Sequence, residues 1–116
     1  MPEVEFCESS GGRPYVLEDL KKLGSRDPEA FRKIMDDLEL LKVWPLNQLI
    51  KLNFVEQLKG RYKKIHEFKS TWNKIEYRIF FRIIGAIYWM SNLYIKKDEK
   101  TRRCEIEKAQ KRLDKL

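Results

Sequence analysis

At 116 residues the chain is sized for one domain, 1–116, with a single modest core, and 42% hydrophobic with 12% aromatic residues excludes a disordered polymer. No apolar run approaches the roughly 18 residues of a membrane span; the acidic start MPEVEFCE carries no secretory signal, and two distant cysteines, Cys7 and Cys104, fit a reduced cytoplasmic protein. The net charge of +7 is uneven: residues 1–56 hold 8 basic and 11 acidic side chains, residues 57–116 hold 17 and 7, and that asymmetry points to a polyanion, nucleic acid being the commonest.

Val4 and Phe6 alternate with Glu3, Glu5 and Cys7, the pattern of a short first strand. After the Ser9–Gly12 turn signal, Pro14 suits a helix start. Val16, Leu17, Leu20 and Leu23 recur at helical spacing, and Gly24 fits the position just past the helix end. Asp27-Pro28-Glu29 then supplies a capping carboxylate, a first-turn proline and an acid near the positive end of the helix dipole. Phe31, Ile34, Met35, Leu38 and Leu41 form the apolar stripe of that second helix. Its polar side offers the pairs Glu29–Lys33 and Arg32–Asp36, and Pro45 stops it. The two helices make a hairpin on one face of a sheet.

Trp44 to Asn53 reads as a short helical turn or a loop. Phe54–Lys59 and Tyr62–Lys69 read as strands paired about Gly60, with Lys59, Arg61, Lys63, Lys64 and Lys69 crowded into a dozen residues. Ile75 to Lys97 is the centre of the chain: two long strands joined at Gly85-Ala86, with Gly at the first central position of a tight turn. Along the first strand Ile75, Tyr77, Ile79, Phe81 and Ile83 share one face, and Glu76, Arg78, Phe80 and Arg82 the other. The second strand is apolar on both faces and ends in Lys96-Lys97. Thr101 can cap a last helix with Ile106, Ala109 and Leu113 inward. The order is β-α-α-β-β-β-β-α, an α+β domain with a mainly antiparallel sheet, the helical hairpin on one face and the carboxy-terminal helix closing an end.

The sequence lacks a glycine-rich phosphate loop, a nucleophile elbow, a histidine pair and acids at two-metal spacing. Metal-free cleavage of RNA by its own 2′-hydroxyl remains open to a cationic site. An arginine fork can hold charge on the non-bridging oxygens. A lysine whose pKa is lowered by neighbouring cations can remove the 2′ proton or protonate the leaving oxygen. Arg78, mid-strand on the cationic face, is the leading candidate; the plainer role for it is an ion pair with Glu67 or Glu76. His66, the single histidine, shares a face with Phe68 and Tyr62 and reads as a core residue.

Four segments in order carry a family resemblance: Glu67-Phe68-Lys69, Tyr77-Arg78-Ile79-Phe80-Phe81, Tyr94-Ile95-Lys96-Lys97, and Lys100-Thr101 through Glu105-Ile106 to Ala109. The pattern resembles the RelE/HigB toxin superfamily, in particular its phage-derived HigB-like branch, and covers nearly the whole chain. Lys69 stands where arginine is usual, which loses the bidentate fork, and Arg102 stands where proline is usual.

The resemblance implies a RelE/ParE-like fold and the toxin of a type II toxin–antitoxin pair, a ribosome-dependent, metal-independent endoribonuclease that cuts mRNA and blocks translation. Its partners would be the ribosome, mRNA and a helix-turn-helix HigA-like antitoxin, with operator DNA met only through the antitoxin and no membrane. No cofactor is implied. The catalytic group would be Arg78 and Lys97 with Lys69 and Arg61; Lys59, Lys64, Arg82, Lys96 and Lys100 would hold RNA phosphates. The general base is left unassigned. Two alternatives use the same frame: a gyrase-directed ParE-like toxin, and an inactive prophage remnant that only binds an antitoxin.

Overall fold

Strand pairing is set by two tight turns. A computed structural model of the chain describes residues 2–116. In it β3 (Ile65–Trp72) and β4 (Ile75–Ile84) are joined through Asn73-Lys74, both at positive φ. Left-handed backbone at both central residues is the mark of a hairpin turn whose twist matches the strands. β4 and β5 (Ile87–Ile95) are joined through Gly85-Ala86, with Gly85 at φ 62°, as its position in the sequence predicts. A short β2 (Val55–Gln57) pairs antiparallel with β3, and β1 (Glu3–Phe6) lies parallel to β5. The five strands run β1-β5-β4-β3-β2.

α1 (Tyr15–Arg26), α2 (Pro28–Val43) and α3 (Leu46–Lys51) cover one face. Val16, Leu20, Ile34, Leu41 and Leu49 meet Phe68, Ile79, Phe81 and Met90 there, all essentially without solvent access. Each such side chain contributes about 1.5–3 kcal/mol by leaving water. The Asp27 carboxylate accepts the Ala30 N–H at 3.1 Å and caps α2. The Glu29–Lys33 and Arg32–Asp36 pairs expected along α2 are not formed. Lys33 instead pairs with Asp37, which is buried and also accepts the Ser70 hydroxyl at 2.8 Å, fastening α2 to β3.

Several sequence expectations need correction. Gly24 does not end α1 but lies within it: a Cβ there would sit 3.3 Å from the Phe31 ring, so the glycine serves close approach of α1 to α2. Between Trp44 and Asn53 the short helical turn, one of the two readings of that stretch, is the one formed, as α3. Pairing between β2 and β3 is confined to Val55–Gln57, and a 3-10 turn at Gly60–Tyr62 carries the chain outward. Arg61, Lys63 and Lys64 therefore project from a connection rather than from paired strands. The largest correction concerns α4 (Glu99–Leu113). It does not close an end of the sheet; it lies on the face opposite α1 and α2, where Ile106, Ala109 and Leu113 pack on Ile65, Phe80 and Tyr94. Asp98, not Thr101, is its cap, accepting the Thr101 N–H at 2.7 Å.

A register shift opposite Phe80/Phe81 explains why β5 is apolar on both faces. Phe80 pairs with Asn92 and Phe81 with Met90, leaving Ser91 as the extra residue. Met90 and Leu93 then face α1 and α2 while Tyr94 faces α4. No helix of the described residues is long and apolar enough to cross a membrane.

Candidate nucleic-acid interface

Polar side chains on the α4 side of the sheet follow from the alternation of β3 and β4. Glu67 and Lys69 on β3 and Glu76 and Arg78 on β4 point the same way as Phe80, with Lys69 directly opposite Arg78 and Arg78 opposite Tyr94. The carboxy-terminal half of α4 seals this face with apolar groups. Its first turns bring Arg102 instead.

The result is a buried network centred on Glu67, which has no solvent access. Glu67 Oε1 lies 3.3 Å from Arg78 Nη1 and accepts Arg102 Nη2 at 3.1 Å, and Glu67 Oε2 accepts the Tyr94 hydroxyl at 2.5 Å. Two half-exposed carboxylates close it from outside. Glu76 accepts Arg78 Nη2 at 2.6 Å; Glu56 accepts Lys69 Nζ at 2.9 Å and Arg102 at 3.4 Å. Glu56 is held below the ordinary carboxylate range by its hydrogen bond from Lys69, and Glu76 by its bond from Arg78. Burial and then the bond to Glu67 push the Tyr94 hydroxyl upward. Burial works against the charge of Arg102, but the Glu67 bond outweighs it and its pKa is raised. A buried carboxylate is tolerable only with this many donors.

The predicted cations therefore separate into three groups. Arg78, 6% exposed, is not on an open face: both ends of its fork are held by Glu67 and Glu76, which is the plainer of the two roles the sequence allowed. Lys69 and Lys96 belong with it, since both act on the Glu76 carboxylate. Arg82 is turned toward the end of α4, donating to the Leu113 carbonyl and to Asp114. Lys97 lines a groove with Asp19, Lys22, Arg26, Tyr77, Tyr94 and Glu105, so Tyr94 borders both this groove and the Glu67 network that holds Arg78.

Lys59, Arg61, Lys63, Lys64, Lys97 and Lys100 are exposed and form no ion pair with a carboxylate among the described residues. Among them Arg61 stands over the Tyr62 ring at 4.9 Å and donates to its hydroxyl at 2.7 Å. Lys59, Tyr62, Arg102 and Glu56 line a groove of about 320 Å³ between the projecting connection and α4. Cations beside an aromatic face suit a single-stranded nucleic acid, whose phosphates meet the cations while a base stacks on the ring.

Glu56, Tyr94 and Arg102 were not singled out by sequence reasoning as members of this site. Arg102 was noticed only as a departure from proline, yet it is the residue that ties α4 to Glu67. The signal available was the spacing of Arg102 from Asp98, which puts it one turn inside the helix. Among the described residues no group of three or more histidine, cysteine or acidic side chains gathers to hold a metal ion. Cys7 is buried, and burial raises its thiol pKa; Cys104 is exposed, and both are free. No family model, curated protein or solved structure matches the chain.

Proposed function

We propose that the protein is a RelE/HigB-like toxin, with the RelE/ParE-like topology that this implies, and that it cuts mRNA on the ribosome without a metal. The observation that carries this reading is that the four segments of the pattern lie side by side on β3, β4, β5 and α4, where Glu67, Arg78 and Tyr94 meet in one network that Arg102, standing where proline is usual, joins from α4.

In this reading RNA enters over the exposed cations Lys59, Arg61 and Lys64, stacking a base on Tyr62, and its backbone reaches Lys69, Lys96 and Arg102. There Glu56 and Glu76 occupy the positions that phosphate oxygens would take. A phosphate displacing those two half-exposed carboxylates would receive Arg78 Nη2 and Arg102 Nη2 while the buried Glu67 keeps Arg78 Nη1 and holds both guanidinium groups in place. That arrangement stabilises charge on the non-bridging oxygens as the 2′-oxygen attacks and the P–O5′ bond breaks, leaving a 2′,3′-cyclic phosphate and a 5′-hydroxyl that carries the proton lost from the 2′-hydroxyl. Lys97 and Lys100 hold flanking phosphates, and a co-expressed antitoxin would cover the same cations.

Induction of the wild-type chain, with 5′ ends of cellular messages mapped, tests the reading: growth arrest with new internal ends is expected, and cleavage of purified mRNA only when ribosomes are added. Replacing Lys59, Arg61 and Lys64 together by glutamine removes arrest without loss of folded protein, because none of the three holds a carboxylate. Arrest with intact messages and lost supercoiling would transfer the protein to the gyrase-directed class. Absence of both effects would leave only an antitoxin-binding role.

A further inference from the structure

At the end of the sheet away from the Glu67 network, a groove of about 620 Å³ is lined by Gln57, Lys63, Lys64, His66, Arg82, Ile83 and Ile84. His66 is 8% exposed, stacks on Phe81 with ring centroids 5.4 Å apart, and makes no hydrogen bond within the protein. Its Nδ1 is sealed without a partner. A buried lone pair without a donor costs less than a buried N–H without an acceptor, because a neutral acceptor loses less on leaving water. The ring proton therefore belongs on Nε2, the nitrogen left to meet the groove. Arg82, which lines the same groove, has its Nε likewise sealed and without a partner among the described residues.

The charges around this groove are unbalanced. Among the described residues Lys63 and Lys64 have no carboxylate partner, while Arg82 donates to Asp114 at 3.2 Å and to the Leu113 carbonyl at 3.3 Å. Asp114 is held below the ordinary carboxylate range, first by Gln110, then by Arg82, with Lys64 adding to it. Three cations and one exposed carboxylate thus surround an imidazole that lacks a partner. His66 Nδ1 and Arg82 Nε are sealed and meet no ligand, so what the groove offers is its three cations and the outward ring nitrogen of His66.

We infer that this groove is a phosphate-binding site for a single-stranded polynucleotide, with Lys63, Lys64 and Arg82 opposing the charge and His66 Nε2 donating to a phosphate oxygen. The site lies apart from the Glu67 network but shares Lys64 with the proposed RNA path, and its phosphate binding is read without any cleavage. It extends the path of the projecting connection around the end of the sheet.

The single histidine makes the test clean. Its ring proton resonance is followed against pH in the full chain, alone and with saturating tetraribonucleotide lacking terminal phosphates, then with inorganic phosphate. Free protein should titrate below the ordinary histidine value because of burial. Bound phosphate should move the resonance and raise its midpoint by about one pH unit, since an adjacent anion favours imidazolium. Response to the tetranucleotide assigns an internal phosphodiester; response to inorganic phosphate alone assigns a terminal phosphate. Lys63→Gln with Lys64→Gln, both exposed, should weaken the response by about tenfold. A His66 resonance unmoved by either ligand overturns the inference, as does a response that the double variant leaves intact.

Discussion

The two faces of the sheet are built by different physics. Under α1, α2 and α3 the interface is apolar nearly throughout, with Asp37 and Ser70 as a small fastening. Under α4 only a strip of apolar contact runs beside a buried carboxylate that holds two arginines and a tyrosine. An apolar interface gains from each methylene and tolerates volume-conserving exchange. A buried ionic cluster returns little net energy when whole and loses much when one member is removed. The first face therefore makes the fold stable, and the second makes one arrangement of charged groups the only workable one.

The largest effect should come from breaking that cluster at its centre. Glu67→Ala leaves Arg78 and Arg102 without their buried counter-ion and should cost about 3–5 kcal/mol, read by urea unfolding. Phe81→Ala on the other face should cost a similar 3–5 kcal/mol through cavity formation. The two differ in repair: replacing Glu67, Arg78 and Arg102 together by apolar residues of similar volume should recover much of the loss, as apolar groups often match a buried ion cluster. If the triple replacement is no better than Glu67→Ala, the contrast between the faces is wrong. By the same argument Arg78→Ala should lower stability as well as activity, so its loss of function cannot by itself assign a catalytic role.

Next in size is Tyr94→Phe, which removes one hydrogen bond to a buried carboxylate and should cost about 1.5–3 kcal/mol by the same measurement. Asp27→Ala removes the cap of α2 and should cost about 1 kcal/mol.

Acid should separate the faces more gently. Burial lowers the pKa of His66 from its ordinary 6.5, so the unfolded chain takes up the proton first. Its contribution to stability is complete above pH 6.5 and declines as pH falls toward the lower folded value. Glu56 and Glu76 are also depressed, so their contributions persist through that range and fade only as pH drops below the ordinary carboxylate value of 4.5. Unfolding midpoints measured from pH 7.5 to 3 should show the first decline disappear in His66→Phe and the second remain.

Much of the frame could be read from residues alone. The Gly85-Ala86 turn, the alternation of β4, and the Asp27 cap with its proline are local signals, and each element formed where they placed it. What was not legible depended on distant partners. Phe80 shares the polar face of β4 with Glu76, Arg78 and Arg82 in the alternation, yet it is the footing on which α4 lies, and nothing local says which helix will cover a strand face. The extra residue at Ser91 hid the alternation of β5. Gly24 carried a stop signal that packing against Phe31 overrode. The cations around Arg78 and its pairing with Glu67 or Glu76 are legible, but Glu56, which holds Lys69 and Arg102, lies elsewhere in the sequence and carries no signal that groups it with them.

The parallel docking of β1 on β5 has a consequence for the order of assembly. Glu3 pairs with Ile87 and Phe6 with Met90, so β1 leaves a translating ribosome with its neighbour more than eighty residues behind it. Contacts of such long sequence separation form late and slow the search for the native state. Until β5 has emerged, Val4 and Phe6 have no sheet to join, and the nascent chain offers these apolar residues to whatever chaperone or partner reaches them first.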